Sequence, residues 1–270
     1  MKQKSKYFYF HVKGIKALFT DPISSSGGDK TSLEIPTYSA LIGLLKHIFW
    51  KPTIQWVIDE IRVINRIEMT PGVATQRSNV SGGSKERAYY TYLKNPEYLI
   101  KAHLIFNENQ PEMKDDRNMI KYENIVTRMA EAGGRMETYL GLKNCYANVR
   151  LCGKEYYENA KSAYDTLSHS IVFKNILYGK SYPDEITEQG KKNGYDGYLL
   201  VCYWDAELES GGRIKFVTPD ETRRRKVKKM AKKIFINNRN SNGTKEIEEN
   251  PTAYGFENIE EVSRENALDM

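Results

Sequence analysis

Cysteine is scarce in this 270-residue sequence. Cys145, Cys152 and Cys202 are odd in number and stand at no zinc-ligand spacing. The four histidines, His11, His47, His103 and His169, are scattered and complete no metal site. These shortages argue against a disulfide scaffold and a structural zinc module. They lead us to expect free thiols in a reducing, cytoplasmic setting, with no metal and no cofactor. Long apolar runs are missing too: no stretch reaches transmembrane length, and the N-terminus lacks the apolar core of a signal peptide. No membrane is expected among the partners.

Positive charge and tyrosine are plentiful. The net charge of +6 makes a polyanion a reasonable partner. The charge is uneven: residues 211–240 hold eleven Lys and Arg against Asp220 and Glu221, whereas residues 241–270 hold Lys245 and Arg264 against eight acids. Nineteen tyrosines offer stacking surfaces for unpaired bases, although strands favour aromatics for their own reasons. A hydrophobic fraction of 40% is enough for a core, in one large domain or two small ones.

Along the chain, residues 7–19 alternate and read as a strand. A helix is expected over about 37–50, with Leu41, Leu44, Leu45 and Ile48 on its apolar side, ended by Trp50-Lys51-Pro52. Residues 53–68 read as a second strand. Residues 70–97 mix Gly, Ser and Thr with Arg77, Lys85, Arg87, Tyr89, Tyr90 and Tyr92, and read as a mobile hairpin or loop with RNA-binding character. A strand over 98–107, a helix over about 118–132 and a return to strand over 138–151 follow. This order is that of a split βαβ, ferredoxin-like sheet with one face free of helices, where modules of this topology stack bases. Short Tyr-rich runs over 155–217 suggest a second, smaller antiparallel sheet. Thr218-Pro219-Asp220-Glu221 has the signature of a helix start, so a basic helix is expected over 221–235. The acidic tail, 241–270, is expected to be poorly ordered by itself and to dock on that helix or on a partner.

The densest motif is Asp116-Arg117-Asn118-Met119-Ile120-Lys121-Tyr122, which opens one helix, and Ala132-Gly133-Gly134-Arg135, which closes it. A cation and a phenol stand together near a helix start, where unpaired amides and the dipole favour anions. An ordinary amphipathic helix with a solvated charged face accounts for the same residues. The glycine pair is equally two-sided: it is a helix cap, or it lets amides approach a phosphate.

The pieces form an ordered series: Ala17-Leu18-Phe19-Thr20-Asp21-Pro22, Ile35-Pro36-Thr37-Tyr38-Ser39-Ala40-Leu41, Trp50-Lys51-Pro52-Thr53, Tyr90-Thr91-Tyr92-Leu93-Lys94, Lys101-Ala102-His103, Asp116-Arg117-Asn118, Lys121, Ala132-Gly133-Gly134-Arg135 and Leu140-Gly141. The series resembles CRISPR-associated family five, subtype d, of type I-C systems. The resemblance covers residues 7–150 well, and Tyr182-Pro183-Asp184-Glu185 extends it more loosely.

The resemblance implies an α+β fold: a modified ferredoxin-like (RRM-like) RAMP domain over residues 1–153, a small antiparallel β domain over 154–218, and a basic helix with an acidic tail over 219–270. It implies a metal-independent endoribonuclease that cuts precursor CRISPR RNA in its repeat hairpin. Such a protein then holds the 5′ handle of the mature guide RNA beside the backbone and large subunits of the type I-C complex. A non-catalytic, handle-binding subunit is the other reading.

Family catalysis uses a Tyr, a Lys and a His. The lysine falls on Lys121, the histidine position on Tyr122, and the tyrosine position on Phe49, where no proton chemistry is expected. In metal-free cleavage the ribose 2′-OH attacks its own phosphodiester, leaving a 2′,3′-cyclic phosphate and a 5′-OH. Lys121 would stabilise the phosphorane and Tyr122 would take part in proton transfer. Phosphates are expected at Arg117, Gly133, Gly134 and Arg135, and RNA at Arg77, Lys85, Arg87 and Tyr90. His47, two residues before Phe49, is a weak substitute base and reads better as satisfied or solvent-facing.

Overall fold

The computed structural model describes residues 3–20, 29–77, 85–107, 111–181, 198–217, 223–228 and 259–262. The alternating start of the chain forms β1 (Phe8–Gly14), followed by the short β2 (Lys16–Ala17) and β3 (Lys30–Thr31). Helix α1 (Tyr38–Ile48) begins at Thr37, whose side chain accepts from the Ala40 amide at 3.1 Å, and it buries Leu41, Leu44, Leu45 and Ile48. Then come β4 (Ile54–Val63), β5 (Met69–Arg77), β6 (Lys85–Lys94) and β7 (Glu97–Phe106). A 3-10 turn (Pro111–Asp116) leads into α2 (Met119–Glu131), which buries Met119, Tyr122, Val126 and Ala130 at helical spacing. The chain continues through β8 (Ala147–Cys152), α3 (Lys154–Asn159), β9 (Ile171–Ser181), β10 (Tyr198–Leu208), β11 (Arg213–Lys215), β12 (Arg223–Lys228) and β13 (Ile259–Val262).

Contacts divide the chain into two units, residues 1–178 with 204–221, and residues 179–203 with 222–270. The first is organised by a five-stranded sheet in the order β11-β4-β7-β1-β8, every neighbour antiparallel. The register sets Phe8 opposite Ala102, Phe10 opposite Ile100 and Val12 opposite Tyr98. All six are buried, with Trp56 edge-on to both phenylalanines. Helix α1 lies along β4, α2 lies along β8, and the two helices touch.

The opposite face of the sheet is not free of helices, which corrects the expectation of an open stacking surface. Tyr157 of α3 is fully buried, with its ring centroid 5.0 Å from that of Tyr9. Arg62 fastens this cover. It is 3% exposed and donates to the carbonyls of Glu158 (3.0 Å), Ala160 (2.7 Å) and Gly211 (3.0 Å), and to that of Tyr157. The Tyr157 hydroxyl donates to Glu60 at 2.7 Å, and Arg213 bridges Glu60 and Glu158 at 2.6 Å each. Burial, and then the Glu60 carboxylate, push the Tyr157 phenol up. Strand β11 also joins this sheet, so the strands expected over 155–217 are shared between two sheets.

Residues 69–77 and 85–94 are strand rather than loop. β5 and β6 pair over their whole length, from Met69–Leu93 to Arg77–Lys85, with β2 and β3 on the other side of β6. Ala88, Tyr90 and Tyr92 point inward onto Leu18 and Cys145. The returning strand is shorter than the expected 138–151, because residues 140–145 make a turn. In it the Leu140 amide donates to the Cys145 carbonyl, and Gly141 has φ +85. A Cβ at Gly141 would lie 1.8 Å from the Leu18 carbonyl oxygen, so Gly141→Ala is expected to lower stability by about 2 kcal/mol or more, read by thermal unfolding.

In the second unit the basic segment forms a strand, not the helix expected over 221–235. β12 pairs antiparallel with β10 on one side and β13 on the other, in the sheet order β13-β12-β10-β9. Ladder hydrogen bonds from two neighbours outweigh the helix propensity of a Lys/Arg run. Glu261 stands opposite Arg225, and Glu260 opposite Lys226, so the described part of the acidic tail pairs with the basic segment. Residues 229–235, the rest of the tail and Tyr182-Pro183-Asp184-Glu185 lie outside the described residues.

Candidate functional site

Asn118 caps α2, its side chain accepting from the Lys121 amide at 3.1 Å. The 3-10 turn before it brings Asp116 back over the first helical turn. There one carboxylate serves two neighbours. Lys121 Nζ lies 2.5 Å from Asp116 Oδ1, and the Tyr122 hydroxyl donates to Asp116 Oδ2 at 2.5 Å. The Lys121 and Asp116 side chains are 45% and 34% exposed, whereas Tyr122 has no exposure at all. The hydrogen bond from Lys121, then that from Tyr122, holds the Asp116 carboxyl below the usual carboxylate range. The same ion pair raises the Lys121 ammonium. Burial first, then the bond to Asp116, raises the Tyr122 phenol, while the buried Thr53 hydroxyl beside it works the other way. Near neutral pH the corner therefore holds a carboxylate, an ammonium and a protonated phenol.

Phe49 ends α1 in an extended conformation and donates its amide to Leu45. Its buried ring packs with its centroid 6.3 Å from that of Tyr122. The three aligned positions thus stand together, with Lys121 Nζ 5.7 Å from the Tyr122 ring centre. Tyr122 is fully buried and donates its hydrogen bond to Asp116, a geometry that suits holding the carboxylate better than proton transfer with a ligand. His47 is turned away: its Nδ1 lies 2.6 Å from the Glu137 carbonyl, and its ring is edge-on to Tyr139.

The other end of α2 resolves the two readings of the glycine pair. The Gly134 amide donates to Met129 and the Gly133 amide to Ala130, with φ near +90° at both glycines, which is a Schellman cap. The Arg135 and Met136 amides donate to the His47 and Ile48 carbonyls at the end of α1. These four amides are engaged inside the chain, which corrects the expectation that Gly133 and Gly134 meet a phosphate. What the segment offers an anion is the exposed Arg135 side chain, on a backbone held against the end of α1.

Arg117 is half-buried and donates from Nη2 to the Asn107 carbonyl at 3.1 Å, so it braces the site from behind. Tyr90 is 6% exposed inside the β6 cluster, which corrects its assignment as a stacking residue; the strand period of two turns its neighbours Tyr89 and Arg87 outward instead. Arg77 and Lys85 are register partners at the far end of the hairpin. Asp116, which joins Lys121 and Tyr122, is the residue of this corner that the sequence alone left without a role. An acid five residues before the lysine, just outside an Asn cap, was the available signal.

Comparison with known proteins places these observations. The profile of the Cas5d group of CRISPR-associated proteins (Cas_Cas5) matches residues 8–213. A relative from Mannheimia succiniciproducens, named CRISPR pre-crRNA endoribonuclease Cas5d, is 30% identical over 144 residues; the match takes in 46% of this chain and 62% of the relative's length. A crystal structure described as a CRISPR-associated protein is 28% identical, with a TM-score of 0.64, over 82% of this chain and 97% of its own. The crystal structure of the functionally uncharacterized protein SMU1763c from Streptococcus mutans matches at 31% identity with the same TM-score and coverages.

Proposed function

This chain belongs to the Cas5d family of CRISPR-associated proteins, and on that premise we propose that it is an endoribonuclease that cuts precursor CRISPR RNA in the repeat hairpin and keeps the 5′ handle of the guide within a type I-C complex. The observation that carries this reading is the Asp116–Lys121 pair: a half-exposed ammonium fixed at a helix start, beside the two other aligned positions, Phe49 and Tyr122. The name of the Mannheimia relative supports it. The order β4-β7-β1-β8, with α1 and α2 in the crossovers, supports a ferredoxin-like reading of the first sheet. A cytoplasmic setting and contacts with the backbone and large subunits belong to the same reading.

The proposed reaction is transesterification. The 2′-OH loses its proton to hydroxide and its oxygen bonds to the adjacent phosphorus, the bond to the 5′ oxygen breaks, that oxygen takes a proton from water, and the products carry a 2′,3′-cyclic phosphate and a 5′-OH. Lys121 meets the charge that gathers on the phosphorane oxygens. Asp116 aims the ammonium, Tyr122 holds Asp116, and Phe49 packs the phenol in place. Arg117 braces the turn. Arg135, Arg87, Arg77 and Lys85 supply sequence-independent attraction for RNA phosphates. No metal enters this scheme.

The test is cleavage of a 5′-labelled repeat hairpin in EDTA over a pH series. Asp116 is lowered and Lys121 and Tyr122 are raised, so all three keep one protonation state through the neutral range. The rate is then expected to follow ionisation of the 2′-OH, rising about tenfold per pH unit between about pH 6 and 9. A discrete cut with that profile supports the reading. A limb near the histidine range would mean that another base acts, and tight binding without a cut would make the chain a handle-binding subunit.

A further inference from the structure

Trp50 breaks the pattern of its neighbours. Ile48, Phe49, Thr53, Ile54 and Trp56 are all buried, yet Trp50 is 41% exposed and Lys51 beside it is exposed. The turn that carries them is fastened to the Lys121 corner. The Phe49 ring packs on Tyr122, the Asn107 side-chain amide donates to the Pro52 carbonyl at 2.9 Å, and Arg117 donates to the Asn107 carbonyl at 3.1 Å. The Phe49 carbonyl in turn accepts from Trp56 Nε1 at 2.9 Å, so the backbone just before Trp50 is held. The charge of Lys51 reaches Asp116, where it helps keep the carboxyl low.

A large ring left in water at a fixed turn, next to Lys51 and on the turn that packs against the Lys121 corner, has a specific chemical use. Its face takes an unpaired base, and the cations take the phosphates on either side. The charged side chains at this corner are Lys51, Lys121 and Asp116. We propose that Trp50 is the stacking platform for one unpaired nucleobase next to the scissile phosphate, with Lys51 on the adjoining phosphate, so that this pair selects the nucleotide presented at the cut. The inference rests on the reading of this chain as a repeat-RNA nuclease.

The experiment uses the full chain and a repeat hairpin whose cut nucleotide is 2′-deoxy, so that binding is read without cleavage. Trp56 and Trp204 are both 4% exposed, which leaves Trp50 as the indole that bound RNA can reach. RNA is expected to quench tryptophan emission in the unmodified protein, and Trp50→Phe is expected to lose the quench but keep most of the affinity. Trp50→Ala is expected to weaken binding about 5- to 100-fold. Single abasic nucleotides walked across the hairpin and its flank should reproduce that loss at one position, and at that position cost nothing further in Trp50→Ala. Tight binding with an unquenched indole, or an abasic loss that simply adds to Trp50→Ala at every position, overturns the proposal. Absence of any binding to the repeat overturns the nuclease reading itself, and the inference with it.

Discussion

Lys121→Ala is expected to lower kcat on repeat RNA by about 100- to 1,000-fold while leaving KM within about threefold. The ammonium is held by Asp116 at 2.5 Å and stays half exposed, so it is placed before substrate arrives and costs little reorganisation when charge gathers on the phosphorane. In this proposal other exposed cations, Arg135 and Arg87, supply the attraction for RNA without it, so binding is expected to change little. Tyr122→Phe tests the supporting role. It removes the second hydrogen bond to Asp116 without exposing the site, and a loss of about two- to tenfold would fit positioning. A loss as large as that of Lys121→Ala would return proton transfer to Tyr122. Single-turnover cleavage separates the two, and an unchanged melting curve for Lys121→Ala shows that the fold is intact.

The largest loss of stability is expected at Arg62, which is remote from the chemistry. Its guanidinium is 3% exposed and is shared among the carbonyls of Tyr157, Glu158, Ala160 and Gly211. Arg62→Ala leaves those acceptors without their donor in a dry interface and opens a cavity under α3. A cost of about 3–5 kcal/mol follows, seen as a melting temperature lower by about 10 °C or more. Arg62→Lys should rescue little, because one compact ammonium cannot span four acceptors that a planar fork reaches. Wild-type stability in Arg62→Ala would show that the 157–165 segment holds to the sheet by its apolar contacts alone.

Much of the first unit is legible because its signals are local. Thr37 and Asn118 cap the helices they precede, and the apolar stripes of α1 and α2 have helical spacing. The β5–β6 hairpin was obscured by Pro71, Gly72 and the run of polar residues. Among the described residues β5 pairs only with β6, and such an edge tolerates a proline that a central strand would reject. The basic segment misled for the opposite reason. Its local signature is that of a helix, and the ladder to β10 and β13 is information the segment does not contain. In the site, the aligned positions identify Lys121, Tyr122 and Phe49, and the fold brings them together. Asp116 was hidden because its action depends on a 3-10 turn that reverses the chain over the helix start. Tyr90 and Tyr89 were indistinguishable until the strand register sent one inward and the other out.

The central claim is that the 2′-OH of the RNA, with Lys121 behind the phosphate, cuts the chain. The measurement is a paired digestion in EDTA of the all-ribose repeat hairpin and of the same hairpin carrying a single 2′-deoxy nucleotide at the cut. The expected result is a single cut in the first, with a 2′,3′-cyclic phosphate end, and no cut in the second although it binds equally well. Cleavage of the 2′-deoxy hairpin, or cleavage of either RNA only when a divalent metal is restored, would contradict the account.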